Sequence, residues 1–280
     1  MSYEWYPGHM TKAVRMMREE LSLVDLVIEL LDARAPLSSR NPDIDDLGKN
    51  KYRLIILNKA DLADKEALDK WREYFKSLGL TTVTADSRSR NFVKQVDASV
   101  KEVCKEKIER DRKRGIKNRP VRAMVCGIPN VGKSTFINSF VGKTTAKTGN
   151  KPGVTRGKQW IRHNDSLELL DTPGILWPKF EDKSVGIRLA MLGTINDNII
   201  DSRDLAVHII DYLKESYPGA LNSRYDISED RSSPDILTDI AINRKALKKG
   251  EEPDTEKAAY YLTDDLRSGR LGRISLELPG

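Results

Sequence analysis

One stretch narrows the folds open to this chain more than any other: Gly127-Ile-Pro-Asn-Val-Gly-Lys-Ser134. It has the form G-x-x-x-x-G-K-S, a phosphate-binding loop. The apolar run Val121-Arg-Ala-Met-Val-Cys126 before it predicts a buried strand, and Thr135-Phe-Ile-Asn-Ser-Phe-Val141 after it predicts the first turns of a helix. Strand, glycine loop and helix is the setting in which such a loop works. Gly127 and Gly132 let the backbone approach a phosphate where a Cβ would collide. The N–H groups of the loop then point inward at a helix N-terminus, a ready anion nest. Lys133 can reach the β- and γ-phosphates, and the Ser134 hydroxyl can ligate Mg²⁺. The phosphate-binding residues read from this stretch are Asn130, Val131, Gly132, Lys133, Ser134 and Thr135.

Two further motifs fall at the ends of predicted strands. Asp171-Thr-Pro-Gly174 follows an apolar run at 166–170. Its carboxylate can hold Mg²⁺ through water, and the Gly174 N–H can touch a γ-phosphate. Thr155, in the polar loop before that strand, can add its hydroxyl to Mg²⁺ when a γ-phosphate is present, the behaviour of a switch. Asn58-Lys-Ala-Asp61 ends an apolar run beginning at Tyr52. The Asp61 carboxylate can accept from guanine N1–H and N2–H₂, a donor pair that adenine lacks. Asn58 is assigned to the base edge, the Lys59 stem to the ring face, and Ala85, at the end of a third run, to the floor under the base.

These motifs occur in an unusual order. The base reader at 58–61 precedes the phosphate loop at 127–134, which precedes Asp171. A P-loop GTPase sheet cut after the D-T-P-G segment, with its old ends joined through the basic stretch near 105–120, yields this order. Such circular permutation is tolerated where termini lie close together at a surface. Strands alternating with helices over 1–178 therefore predict an α/β fold: a mostly parallel, circularly permuted GTP-binding domain. Its elements include one long helix over 92–114 and an Asn164-Asp165 hairpin. Residues 179–280 carry only helical patterns, with stripes such as Leu205, Ile209 and Leu213, and predict a C-terminal all-helical domain. The loop after Gly174 leads directly into it, so nucleotide state can be coupled to the helices.

Charge bears on partners. The net +6 over 280 residues is uneven. Residues 1–178 hold 33 Lys and Arg against 23 Asp and Glu, a surplus of ten, while 179–280 are at −4. The densest run, Lys105–Arg122, has nine basic residues against three acidic ones. It is open to two readings, a solvated face or a surface along nucleic-acid phosphates. Arg267, Arg270 and Arg273 offer a smaller basic patch in the acidic half. No apolar run approaches the roughly 20 residues of a membrane span. The N-terminus has no secretory pattern, and two cysteines, Cys104 and Cys126, suit a reducing cytoplasm.

The chain resembles the circularly permuted GTPases that assist ribosome assembly. The resemblance runs over nearly its whole length, on Tyr6-Pro-Gly-His9-Met, Asp32-Ala-Arg34, Asn58-Lys-Ala-Asp61, the phosphate loop, Pro152-Gly-Val-Thr155, Asp171-Thr-Pro-Gly174 and Arg267-Ser-Gly-Arg-Leu-Gly272. It implies a GTPase that binds the maturing large (50S) ribosomal subunit and its rRNA in the GTP form, promotes late assembly, and leaves after ribosome-stimulated hydrolysis. The chain is expected to be cytoplasmic, with no membrane partner, and monomeric off the ribosome. The resemblance also implies a hydrophobic residue where many GTPases have a catalytic glutamine; here those positions are Ile175 and Leu176. The resemblance points to His9 as the catalytic candidate, against a reading of His9 as an RNA-contacting or capping loop residue. His163 and His208 are read as structural. In related GTPases an Asn at the place of Asn130 ligates K⁺, so K⁺ joins Mg²⁺ as a cofactor. Two other readings stay open: an RNA-binding scaffold with structural GTP, and another P-loop NTPase such as an ATPase or kinase.

Overall fold

The computed structural model describes residues 15, 18–116, 119–142, 159–172, 174, 182–195 and 200–280. His9, Thr155, Ile175, Leu176 and Trp177 lie outside these. The chain divides into two compact units, Met1–Phe180 with Glu277–Gly280, and Glu181–Leu276. The sequence division at 178/179 leaves the last four residues with the helices; in the structure they belong to the first unit. The reason is a set of hydrogen bonds invisible to local pattern. The Glu277 carboxylate accepts from the Leu37 N–H (2.6 Å), the Ser38 N–H (2.9 Å) and Ser38 Oγ (2.5 Å). The Trp71 indole N–H donates to the Glu277 carbonyl at 3.2 Å.

Among the described residues the first unit is built on six strands: β1 (Leu26–Asp32), β2 (Tyr52–Asn58), β3 (Thr81–Ala85), β4 (Val121–Gly127), β5 (Gln159–Asn164) and β6 (Leu167–Asp171). Their order in the sheet is β3-β2-β1-β4-β6-β5. All neighbours are parallel except β5 and β6, which form an antiparallel hairpin. Parallel strands covered on both faces need unbroken apolar runs, and every residue of β1 is buried. Glu29, the acid in mid-strand, is reached by Arg53 (2.8 Å) and Arg40 (3.6 Å). Burial pushes its carboxyl pKa up, against the pull of the two arginines.

Helices cover the sheet. They are α1 (Asp43–Leu47), α2 (Lys65–Ser77), α3 (Val93–Val103), α4 (Lys105–Lys113) and α5 (Lys133–Val141). The Asp64 side chain accepts from the Ala67 N–H and starts α2. α2 lays Ala67, Leu68, Trp71 and Phe75 on Leu31, Ile55 and Leu57. Trp71 is wholly buried, and full burial of each such side chain contributes about 1.5–3 kcal/mol. A second cluster joins Leu21, Val24, Val27 and Ile44 to Met124, Cys126 and Leu170. The long helix predicted over 92–114 is instead α3 and α4, broken at the buried Cys104. The break accompanies an inward turn of Lys107, which is 2% exposed. Its ammonium meets Asp111 (3.2 Å), Asp25 (3.4 Å) and the Pro120 carbonyl (3.2 Å). One cation of the basic run is thus internal, while Lys105, Arg110, Arg112, Lys113 and Arg114 are exposed.

The second unit holds α6 (Lys183–Met191), α7 (Ser202–Ser216), α8 (Ala220–Tyr225), α9 (Ser233–Asn243) and α10 (Thr255–Ser268). Side chains of Asp182, Asp201, Ser232 and Asp254 cap α6, α7, α9 and α10. Leu205, Ile209, Leu213, Ile236, Ile240, Leu262 and Leu266 are buried in its core. At its centre the Asp265 carboxylate, 3% exposed, draws in Arg224 (2.7 Å), Arg244 (3.2 Å), Arg270 and the Tyr225 hydroxyl (2.9 Å). Of the expected arginine patch, Arg270 and Arg273 are exposed and Arg267 is partly buried. Arg270 is tied to Asp264 and Asp265. Arg267 donates to the carbonyls of Met191 (3.1 Å) and Ala190 (2.8 Å), capping the end of α6. Among the described residues no helix is long and apolar enough to cross a membrane.

Candidate nucleotide site

The path of the chain fixes where a ligand can sit. From β1 it runs outward through β2 and β3, then returns to the other side of β1 with β4. Ligands of open α/β sheets bind beyond the strand C-termini at such a reversal. Asp32, Asn58 and Ala85 stand in register along that edge. Gly127 pairs with Leu30, and Asp171 with Val125. The three motifs are therefore brought together although up to 113 positions separate Asn58 from Asp171.

The phosphate loop turns tightly between β4 and α5. A Cβ on Gly127 would lie 2.8 Å from the Leu30 carbonyl oxygen. Gly132 has φ 94°, and a Cβ there would lie 2.5 Å from Asn58 Nδ2. Asn130 also takes a left-handed φ of 57°. No side chain caps α5, so the first-turn N–H groups stay available to an anion. Gly174 packs on the loop, its would-be Cβ 2.9 Å from the Pro129 nitrogen. The Lys133 ammonium donates to Asp171 Oδ1 at 2.5 Å, with the side chains 6% and 3% exposed. Ser134 and Thr135 open the helix and remain partly exposed.

The base side is arranged differently from expectation. Asn58 is 1% exposed. Its Nδ2 donates to the Val131 carbonyl at 2.8 Å, and its Oδ1 accepts from the Ser87 N–H (3.2 Å) and Ser87 Oγ (2.6 Å). Its amide thus joins the two loops, whereas the sequence reading assigns it to the base edge. Lys59, with φ 58°, donates to Asp32 Oδ2 and to the Asn130 carbonyl, both at 2.9 Å. Burial lowers its ammonium pKa, and Asp32 pulls the other way. Burial likewise works against the Asp32 carboxylate, yet Arg34 and Lys59 together hold it well below the usual range. Asp61 faces outward, its side chain 24% exposed and paired with Arg88. Ala85 is 2% exposed and its carbonyl accepts the Ala60 N–H at 3.1 Å. Ser87, two residues on, adds the hydrogen bonds that hold the Asn58 amide oxygen. Ser87, Arg88 and Asp32 were absent from the predicted site; only Asp32, inside the D-A-R motif, carried a local signal.

A hydroxyl from Ser134 and a carboxylate from Asp171 are the hard oxygen donors Mg²⁺ prefers, so the residues fit that ion. His163, read as structural, stacks on Phe140 with ring centroids 4.0 Å apart and meets Asp97 at 3.2 Å. His208 is exposed on α7.

Comparison with known proteins settles the class. A family model described as 50S ribosome-binding GTPase matches residues 122–244. Ribosome biogenesis GTPase A of Bacillus licheniformis is 46% identical over 280 residues, covering 100% of this chain and 99% of the relative. The chain belongs to the ribosome biogenesis GTPase A family. The protein of that name from Thermotoga maritima is 32% identical, with 98% of this chain and 94% of the relative covered. A crystal structure of GNP-bound YlqF from T. maritima is 28% identical, with a TM-score of 0.67 over 96% of this chain and 98% of that one. Its GDP-bound counterpart gives a TM-score of 0.68. This family member is a GTP hydrolase of ribosome biogenesis, with the circularly permuted α/β fold expected from its motif order.

Proposed function

We propose that this GTPase binds the maturing large ribosomal subunit and its rRNA in the GTP form, promotes late assembly, and leaves after subunit-stimulated hydrolysis. The observation that carries the reading is full-length similarity to ribosome biogenesis GTPases, joined to a site whose base and phosphate loops meet at one sheet edge. Residues 1–178, joined by the last four residues, supply the nucleotide-binding unit and 179–276 a ribosome-facing helical domain; the protein works in the cytoplasm as a monomer off the ribosome.

Phosphates lie on the N–H groups of Asn130 to Thr135, with Gly174 at the γ-position. Lys133 exchanges Asp171 for phosphate oxygens, which frees the Asp171 carboxylate. Asp171, Ser134 and Thr155 are then the residues that would hold Mg²⁺, which supplies charge neutralisation on the phosphates. Asp61 reads guanine by its acceptor pair, and Arg88 must release it. Asn58 and Ser87 hold the loops; Lys59 flanks the ring, and Ala85 backs the base loop from the sheet. Asn130 ligates K⁺. His9 orients water, since neither Ile175 nor Leu176 can.

GTP turnover measured without ribosomes, with large subunits and with small subunits tests the reading. Stimulation by large subunits alone is expected. GTP binding with no turnover in any arm would favour a scaffold. His9→Ala is expected to keep GTP affinity and lose the stimulated rate, and equal rates in NaCl and KCl would remove potassium from the scheme.

A further inference from the structure

Asp32 ends β1 at the reversal of strand order, in register with Asn58 on β2. Its carboxylate, 1% exposed, accepts from the Arg34 N–H (3.1 Å), Arg34 Nε (2.9 Å), Arg34 Nη2 (2.9 Å) and Lys59 Nζ (2.9 Å). The Asp32 N–H is held in turn by Ser39 Oγ at 2.9 Å. The fork-on-fork pair with Arg34, itself 2% exposed, already balances the charge. Lys59 is a second cation on the same carboxylate. Drawing it partly out of water, to 25% side-chain exposure, is unfavourable for folding alone, and Lys59 adopts a left-handed φ that side-chain-bearing residues rarely take. Both features are accounted for by where the ammonium ends up: on the Asn130 carbonyl of the phosphate loop.

We propose that Asp32 is a positioning residue for guanine-nucleotide binding. It anchors the Lys59 ammonium against Asn130 and so presets the spacing between base loop and phosphate loop before nucleotide arrives. One anion with two cations also leaves a net positive charge beside the phosphate nest. The proposal rests on the reading that nucleotide spans these two loops.

The test titrates the full-length chain with fluorescent mant-GDP and mant-GTP. Asp32→Asn keeps shape and an acceptor for Arg34 but removes the anion. Both dissociation constants are expected to rise about tenfold, and the loss in GTP turnover to appear in KM with kcat retained. Asp32→Asn leaves the Arg34 guanidinium short of a counter-charge, so Asp32→Asn/Arg34→Gln is measured beside it, with a cooperative melt certifying the fold. A role in stability alone is rescued by the second change. A positioning role is not, because Lys59 still lacks its anion. Asp32→Glu, which keeps the charge one methylene away, is expected to recover part of the affinity. Wild-type dissociation constants in a folded variant lacking the anion, or a fall in kcat with KM unchanged, would overturn the proposal. Failure of the wild-type chain to bind mant-GDP would instead sink the nucleotide site itself.

Discussion

The Lys133–Asp171 pair sets a competition that can be measured. The ammonium and carboxylate are 2.5 Å apart and nearly sealed from water. A nucleotide that uses Lys133 must first take it from Asp171. A hydrogen bond between charged partners contributes about 1.5–3 kcal/mol net. Asp171→Asn removes the carboxylate charge, so without divalent ions GDP is expected to bind about ten- to a hundredfold more tightly than to wild type. Removing one partner of a buried pair costs about 3–5 kcal/mol, and the retained amide oxygen puts the apo variant toward the lower end. Its melting temperature is therefore expected to fall, and saturating GDP to restore most of it. Isothermal titration in EDTA, paired with melts with and without GDP, makes both comparisons. In Mg²⁺ the affinity advantage is expected to shrink or reverse, since only the wild-type carboxylate can serve the ion. A folded Asp171→Asn protein that binds GDP in EDTA no better than wild type would refute the competition.

Further outcomes follow from other contacts. Glu277→Ala leaves the Leu37 and Ser38 N–H groups without their carboxylate, and amide exchange at Ser38 is expected to speed up about thirtyfold, the equivalent of ~2 kcal/mol; unchanged exchange would remove the tail's anchoring role. Asp265 has its carboxyl pKa lowered to about 2: burial opposes this, and the Arg224, Arg270 and Tyr225 hydrogen bonds outweigh it. A depressed carboxylate pKa adds stability above the ordinary value of 3.8 that is lost as pH falls toward about 2. Unfolding of the helical unit followed across that window is expected to lose part of its pH dependence in Asp265→Asn, with the lowered Asp182 and Asp201 keeping the rest. Burial pushes the Cys104 thiol up to about 12, and Cys126 higher still; Ellman's reagent is expected to titrate neither in native protein and both in guanidinium.

Much of this fold was legible because its signals are local. Parallel strands buried on both faces must be continuous apolar runs, and the runs Val24–Leu31, Tyr52–Leu57 and Val121–Cys126 read as such for β1, β2 and β4. The helical unit read from stripes such as Leu205, Ile209 and Leu213, although the short α8, which no side chain caps, gave no such signal and α6 is capped by Asp182 rather than Ser184. What stayed hidden depends on partners distant in sequence. Nothing near Glu277 signals that its carboxylate closes on Ser38, 239 positions away. The break at Cys104 was missed because the amphipathic pattern runs through it, and two of the groups that receive the inward Lys107 ammonium, Asp25 and the Pro120 carbonyl, lie outside the helix.

The base reader shows most clearly where local pattern runs out. N-K-x-D spells two polar groups fit to meet a base edge, and sequence alone gives both the task. The structure separates them by one backbone angle. The left-handed φ of 58° at Lys59 turns the chain between them. Asn58, behind the turn, is 1% exposed and bonds the Val131 carbonyl and Ser87. Asp61, beyond it, keeps its side chain 24% exposed. A left-handed Lys needs a tertiary hold, and Asp32 with the Asn130 carbonyl supplies one. The division of labour within four adjacent residues is therefore set from β1 and from the phosphate loop, 27 and 71 positions away. A perturbation at Asp32 therefore acts on the base loop through Lys59 as well as on the buried Arg34.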